Sequence, residues 1–350
     1  MSFPSANENP LRDDLEHVLA HTRELWQDFR DGRVFMTGGS GFFGCWLLES
    51  FIYANERLSL DARATVLTRD PQKFRNRMPH LARGAGIDLL QGDVSSFVFP
   101  AGEFSHVLHA AVEYTHPLGL FSSIVDGTRR TLEFACAAHA ERYLLTSSGA
   151  VYGSQPPEIQ NLPETYNGAP DPLTKASAYS EGKRAAEFLC AAFHESEGVH
   201  PTISRGFAFI GPYLSLTGSG AAGNFIRDIL AGRAITIQGD GTPYRSYLYA
   251  ADLTIWLWKI LCRAEACRAY NVGSAVPTTI KSLADTMVSV AAPETSVHVL
   301  GKAIPGQPAQ RYVPNVDRAR EELGLEAWID LPEAVRRTIA WSRLQSSLRT

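Results

Sequence analysis

The sequence predicts an α/β protein, a doubly wound parallel sheet followed by a smaller mixed α/β region toward the C-terminus. Three observations predict it. Short apolar runs alternate with amphipathic stretches as far as Arg205, the pattern of strands joined by crossover helices. The first run, Arg33-Val-Phe-Met-Thr, passes directly into a glycine turn and then a helix. A later run, Arg142-Tyr-Leu-Leu-Thr-Ser-Ser, leaves serines at its carboxyl end, the edge at which such sheets hold ligands.

Taken in order, residues 1–32 read as an N-terminal helical extension, with Leu15 to Phe29 a helix packed outside the first strand. Residues 33–204 read as the dinucleotide-binding unit. Gly38, Gly41 and Gly44 form a G-x-x-G-x-x-G turn. The early glycines permit a tight turn and close approach of backbone to a pyrophosphate, and the last lets helix pack on strand. Phe42 and Phe43 begin that helix, whose unpaired N–H groups and positive dipole end face the phosphates. These five residues are therefore expected at a Rossmann-type NAD(P) site.

The second strand, from Arg63, ends in Thr68-Arg69-Asp70. An acidic residue at this tip suits the ribose hydroxyls of NAD, and an arginine suits the 2′-phosphate of NADP. Arg69 leans the choice toward NADP, while Asp70, one or two places late, keeps NAD open. Asp93 and Val94 close a third strand and are expected at the adenine. The fourth, His106-Val-Leu-His-Ala-Ala, ends in Ala110 and Ala111, small enough for a cofactor to lie against backbone. His109, inside an apolar strand, is expected to be a packed core histidine.

The fifth strand places Ser148 at the carboxyl edge, either to hydrogen-bond a reacting oxygen or, with Ser147, to cap the next turn. Tyr179 and Lys183, in Ser177-Ala-Tyr-Ser-Glu-Gly-Lys, stand one helical turn apart on one face. A fixed ammonium favours the phenolate and brings tyrosine, ordinarily near pKa 10, toward neutral working pH. With Ser148 this makes a centre for taking a proton from an alcohol.

The set Thr-Gly-Gly-Ser-Gly-Phe-Phe-Gly, His-Ala-Ala, Ser-Ser-Gly-Ala-Val-Tyr-Gly and Tyr-x-x-x-Lys resembles the extended short-chain dehydrogenase/reductases. Within them it is similar to the NAD-dependent epimerase/dehydratase branch that acts on nucleotide sugars, over about residues 33–325. The resemblance implies catalysis by Ser148, Tyr179 and Lys183, with the last two also touching the cofactor. It implies diphosphate contacts from Arg245, in Gln238-Gly-Asp-Gly-Thr-Pro-Tyr-Arg, and from Arg311, in Pro305-Gly-Gln-Pro-Ala-Gln-Arg. Asn224 is implied at the same diphosphate. Guanidinium forks match phosphate oxygens, although surface ion pairs are the ordinary alternative. Residues 205–350 would then mainly bind the nucleotide sugar, with 246–262 returning to the dinucleotide unit as a strand near Ser246–Tyr249 and a helix from Asp252.

Departures from the family pattern bear on the reaction. The 4,6-dehydratases carry an acid and a base immediately after the catalytic serine or threonine, where this chain has Gly149 and Ala150. The glutamate used by decarboxylating members in that segment is absent too. What remains is oxidation of a sugar hydroxyl or reduction of a ketone: a C4 epimerase first, an NADPH-dependent 4-keto-sugar reductase second. A dehydratase or an idle dinucleotide-sensing protein ranks below both, and a small neutral ketone would leave the two arginines nothing to hold. Glu113 or His116, in Val112-Glu-Tyr-Thr-His-Pro, is a candidate extra acid/base facing substrate. Ala208 and Ile124 stand where relatives carry asparagines.

Composition agrees. At 350 residues the chain can bury a large core. A net charge of -4 without a basic run argues against nucleic acid. Five cysteines without metal-ligand spacing suit reduced thiols in a cytoplasm, with no metal. No apolar run approaches the ~20 residues of a membrane span. The helix bearing Tyr179 is apolar on its far side (Ala185, Phe188, Leu189), suited to core packing or a homodimer bundle.

Overall fold

The apolar runs close into one seven-stranded sheet in which every pairing is parallel. A computed structural model describes residues 9–113, 116–218 and 220–347. Strands β1 (Arg33–Thr37), β2 (Arg63–Thr68), β3 (Ile87–Gln91), β4 (His106–His109), β5 (Arg142–Ser148) and β6 (Pro201–Gly206) are joined at the β6 edge by Ala269–Val272. From that edge strand the spatial order is β6-β5-β4-β1-β2-β3. The order reverses between β1 and β4, which places a crevice at their carboxyl ends.

Both faces are covered. Val34, Met36 and Leu144 point into a core shared with α2 (Phe42–Leu58) and α8 (Ala250–Arg263). Phe35, Tyr143 and Leu145 point the opposite way, toward α5 (Pro117–Ala137) and α6 (Ala178–Glu197). This period-2 alternation between two buried faces is why the strands read as continuous apolar runs. The β2–β3 crossover carries two short helices, α3 (Pro71–Arg77) and α4 (Pro79–Ala82), each opened by proline.

The N-terminal helix is shorter than the sequence suggests. It spans α1 (Arg12–Thr22) and tightens into a 3₁₀ turn over Arg23–Phe29. Thr22 Oγ1 donates back to Val18 O at 2.7 Å and receives Trp26 Nε1 at 3.0 Å, a local bonding that competes with continued helix. Trp26 and Phe29 then pack on Trp258 of α8, and buried Asp14 accepts from Tyr249 Oη at 2.7 Å and pairs with Arg337.

Leu248–Tyr249 is extended as expected, but it pairs with Phe209–Ile210 and stays outside the main sheet. Ala269–Val272 instead supplies the outermost strand. The C-terminal region adds α7 (Ala221–Leu230), α9 (Ile280–Ala291), α10 (Asp317–Leu323) and α11 (Leu331–Ser347).

Candidate active site

The glycine turn makes a cradle in which side chains have no room. Gly38 has φ +75°, and a Cβ there would lie 2.6 Å from the Ala110 carbonyl. A Cβ on Gly44 would lie 2.2 Å from Gly38 O. Thr37 Oγ1 accepts from the N–H groups of Ala110 and Ala111, each at 3.2 Å. It therefore gives its own proton to His109 Nδ1, 2.9 Å away. His109 can take it because burial, aided by the Lys183 charge, pushes its pKa down to about 3 and keeps the ring neutral. The expected core histidine is thus also a stitch between β1 and β4. Helix α2 starts at Gly41 without a side-chain cap, leaving first-turn N–H groups for an anion. The Phe42 and Phe43 rings lie together, Phe43 meeting Phe209 edge-on. Backbone cradle and open helix start fit a dinucleotide.

Just beyond the tip of β2 Arg69 is ion-paired with Glu113. The two expected site residues thus meet each other. Asp70 is committed elsewhere: its carboxylate caps α3 by accepting from Lys73 N at 2.8 Å. Asp93 accepts from the Ser95 hydroxyl at 2.6 Å and its N–H at 2.9 Å. These bonds, with Arg69 nearby, hold its carboxyl below the usual range. Val94 packs over Gly127 of α5. His116 caps α5 by accepting from Gly119 N at 3.3 Å; Tyr114 and Thr115 of the same loop lie outside the described residues.

The candidate catalytic residues come from the end of β5 and the start of α6. Lys183 is buried, its Nζ donating to Thr146 O at 2.6 Å and standing 5.9 Å from the Tyr179 ring centre. Burial pulls the ammonium down to about 8, against an opposing pull from Glu187. Glu187, one turn beyond Lys183, accepts from the Ser147 hydroxyl at 2.6 Å and grips Arg205 through both oxygens. Arg205 donates on to Tyr152 Oη at 2.9 Å, and Tyr152 to Asn271 Oδ1 at 2.7 Å. Edge strand, β6, α6 and β5 are therefore locked by one polar chain behind the site.

Ser148 both caps and faces the edge. Its Oγ accepts from Ala150 N at 3.1 Å, which leaves the hydroxyl proton and a lone pair for another partner. Ile124 packs directly on Gly182, beside Lys183, and fills the α5–α6 seam.

The two diphosphate candidates come together. Tyr244 and Arg311 are bridged through their backbones, so Arg245 and Arg311 sit on adjoining segments. Arg245 Nη1 donates to Tyr244 O at 2.7 Å, and Arg311 Nε donates to Gln160 O at 3.2 Å. Among the described residues neither has a carboxylate partner, so the ion-pair alternative is not realised. Asn224 lies on α7, its Oδ1 accepting from Arg227 at 3.0 Å.

Three neighbours of the site were not read from the sequence: Glu187, Phe207 and Tyr312. Glu187 was legible as the next helical turn after Tyr179 and Lys183. The other two converge only in three dimensions. A Cβ on Gly149 would lie 2.7 Å from the Phe207 ring and 2.8 Å from Tyr312 Oη.

Comparison with known proteins places this arrangement. UDP-glucuronic acid decarboxylase 6 of Arabidopsis thaliana is 29% identical over 309 residues, 87% of this chain and 86% of that protein. A UDP-glucuronic acid decarboxylase 1 of Danio rerio is 28% identical over 316 residues, 88% of this chain and 72% of that one. Among solved structures, a UDP-N-acetylglucosamine 4-epimerase from Methanobrevibacter ruminantium, in complex with UDP-N-acetylmuramic acid, superposes with TM-score 0.78. It is 21% identical and covers 90% of this chain and 99% of its own. A dTDP-glucose 4,6-dehydratase from Streptomyces venezuelae with NAD bound gives 0.76 at 20% identity, covering 90% and 98%. The profile of the NAD dependent epimerase/dehydratase family matches residues 34–273. The chain therefore belongs to that family of enzymes, of the extended short-chain dehydrogenase/reductase type.

Proposed function

We propose that the protein interconverts an alcohol and a ketone on the sugar of a nucleoside diphosphate sugar, as an epimerase acting at C4. The observation that carries the reading is the buried Lys183 ammonium beside Tyr179, next to a Ser148 followed by two residues incapable of proton transfer. Ser148 orients the reacting oxygen. Tyr179 takes its proton as the alcohol is oxidised and returns it on re-reduction, and Lys183 holds the phenolate charge. A nicotinamide, when bound, supplies hydride acceptance and donation. Arg245 and Arg311, without carboxylate partners among the described residues, are the groups to hold the diphosphate, with Asn224 a further candidate. The names of the four relatives reported above, each of which gives a nucleotide sugar, support the substrate class.

The test is a panel of UDP-, dTDP-, GDP- and CDP-sugars, with and without NAD(P)H, read by mass and NMR. Isomerisation without net cofactor change is expected. Stoichiometric loss of NADPH would assign a ketoreductase instead, and loss of water or carbon dioxide would overturn the reading.

For the cofactor we propose NAD. Arg69 lends less support to NADP once Glu113 neutralises it and Asp93 stands nearby, because a carboxylate accepts from ribose hydroxyls and repels a 2′-phosphate. NAD is expected to bind at least about tenfold tighter than NADP by calorimetry, about 1.4 kcal/mol. Glu113→Gln should narrow that ratio by freeing Arg69. A wild type that prefers NADP would refute the assignment.

The same reading assigns 33–204 to the dinucleotide and 205–350 mainly to substrate, with 246–262 packed back against the first unit and 1–32 as an added helical segment. Exposed Leu118 and Phe188 on α5 and α6 support a homodimer through those helices, and five free thiols support a reducing cytoplasm. Among the described residues no helix is long and apolar enough to cross a membrane, and no cluster has the makings of a metal site.

A further inference from the structure

We propose that Tyr312 is a substrate-contacting residue, a hydrogen-bond donor seated next to Ser148 and facing the reacting sugar. The inference rests on the reading above and adds a residue to it.

The geometry comes from two distant segments. Tyr312 Oη lies beside the Ser148 side chain, and it would be 2.8 Å from any Cβ at Gly149. A side chain projecting from Gly149 would therefore enter the volume that this hydroxyl and the Phe207 ring already fill. The Tyr312 ring is braced by Phe207, with centroids 4.5 Å apart. The Arg245 guanidinium stands 6.0 Å from its centre. Tyr312 thus lies between the arginines assigned to the diphosphate and the serine assigned to the reacting oxygen, where a bound sugar must lie.

The hydrogen bond it donates at present is weak. Tyr312 Oη donates to Gly206 O at 3.3 Å, a length that a better-placed acceptor would outcompete. Burial pushes the hydroxyl up to about 12, with Ser148 and Arg245 opposing. It keeps its proton across the working range, unlike a general base. The division of labour is then complete: Tyr179 moves a proton with Lys183 beside it, and Tyr312 only donates a hydrogen bond that strengthens as charge develops on oxygen.

The test is Tyr312→Phe, which keeps the ring against Phe207 and removes only the hydroxyl. Turnover on the substrate found by the panel should fall about 10- to 100-fold. Affinity for NAD and for the bare nucleoside diphosphate should stay unchanged, and the alkaline limb of the pH profile should stay where the wild type has it. A merely structural role would lower the melting temperature and leave turnover per folded molecule intact. Unimpaired turnover, or a displaced alkaline limb, would overturn the proposal. Phe207→Leu is the companion variant: loosening the brace should lower turnover in the same direction, with the hydroxyl still present. A wild type inactive on every nucleotide sugar would remove both the parent reading and this one. An active wild type with a fully active Tyr312→Phe would remove this one alone.

Discussion

Tyr179→Phe is expected to lower turnover by about 100-fold or more while NAD and nucleotide-sugar affinities hold. The phenol oxygen is the only group the variant loses, and positioned acid/base catalysis is worth roughly 10²–10⁴. Rapid-mixing kinetics alongside calorimetric binding separate the two quantities, and full activity would sink the mechanism. The partner variant Lys183→Met should cost activity on a similar scale without lowering the melting temperature, because it removes a charge that burial already penalises. Lys183 sits below its ordinary value, so its cation is present below pH 8 or so and is lost as pH rises through that point. Activity should therefore fall on the alkaline side near 8, as a limb belonging to the coupled Lys183–Tyr179 pair. Lys183→Met should abolish that limb.

Gly44→Ala and Gly38→Ala are expected to have the largest effects outside the reaction centre. At Gly44 the added methyl would stand 2.2 Å from Gly38 O and 2.5 Å from Gly39 Cα, so α2 must move off the turn. At Gly38 the methyl meets the Ala110 backbone on a residue already at φ +75°, where an L side chain costs about 1–2 kcal/mol before any clash. Together strain and displacement should cost about 2–4 kcal/mol in denaturant melts. NAD affinity should fall at least tenfold, because the N–H groups at the start of α2 shift with the helix. A Gly44→Ala protein of wild-type stability that still binds NAD would refute the packing argument.

The legible parts of this protein were those encoded by local rules. The glycine turn, the serine edge of β5 and the Tyr179–Lys183 face each depend on residues within a few positions, so periodicity and spacing revealed them. Less legible was whatever depends on two segments meeting. Arg69 leaned the cofactor toward a 2′-phosphate, and nothing in its neighbourhood announces its ion pair with Glu113, 44 residues away. Asp70 left a ribose contact open because its other role, capping a helix opened by Pro71, engages the same oxygens and is not announced by the strand tip. Tyr312 was passed over beside Arg311, since its hydroxyl acquires meaning only when the late segment folds against Gly149. Ala269–Val272 is four residues long and joins the sheet purely by tertiary pairing, beyond the reach of strand propensity.

The docking of α1 on α8 sets an order of events during synthesis. Asp14 and its partner Tyr249 are 235 positions apart, and Leu15, Trp26 and Phe29 are sealed in the same shared core as Trp258. At translation speeds of 5–20 residues per second, that apolar stretch waits roughly 10–50 s for its cover. Over that interval it is a target for chaperone holding and for aggregation, even though the strands that cradle the dinucleotide are already made. A segment made early is thus among the last to find its place, and maturation of the enzyme is gated by its own underside.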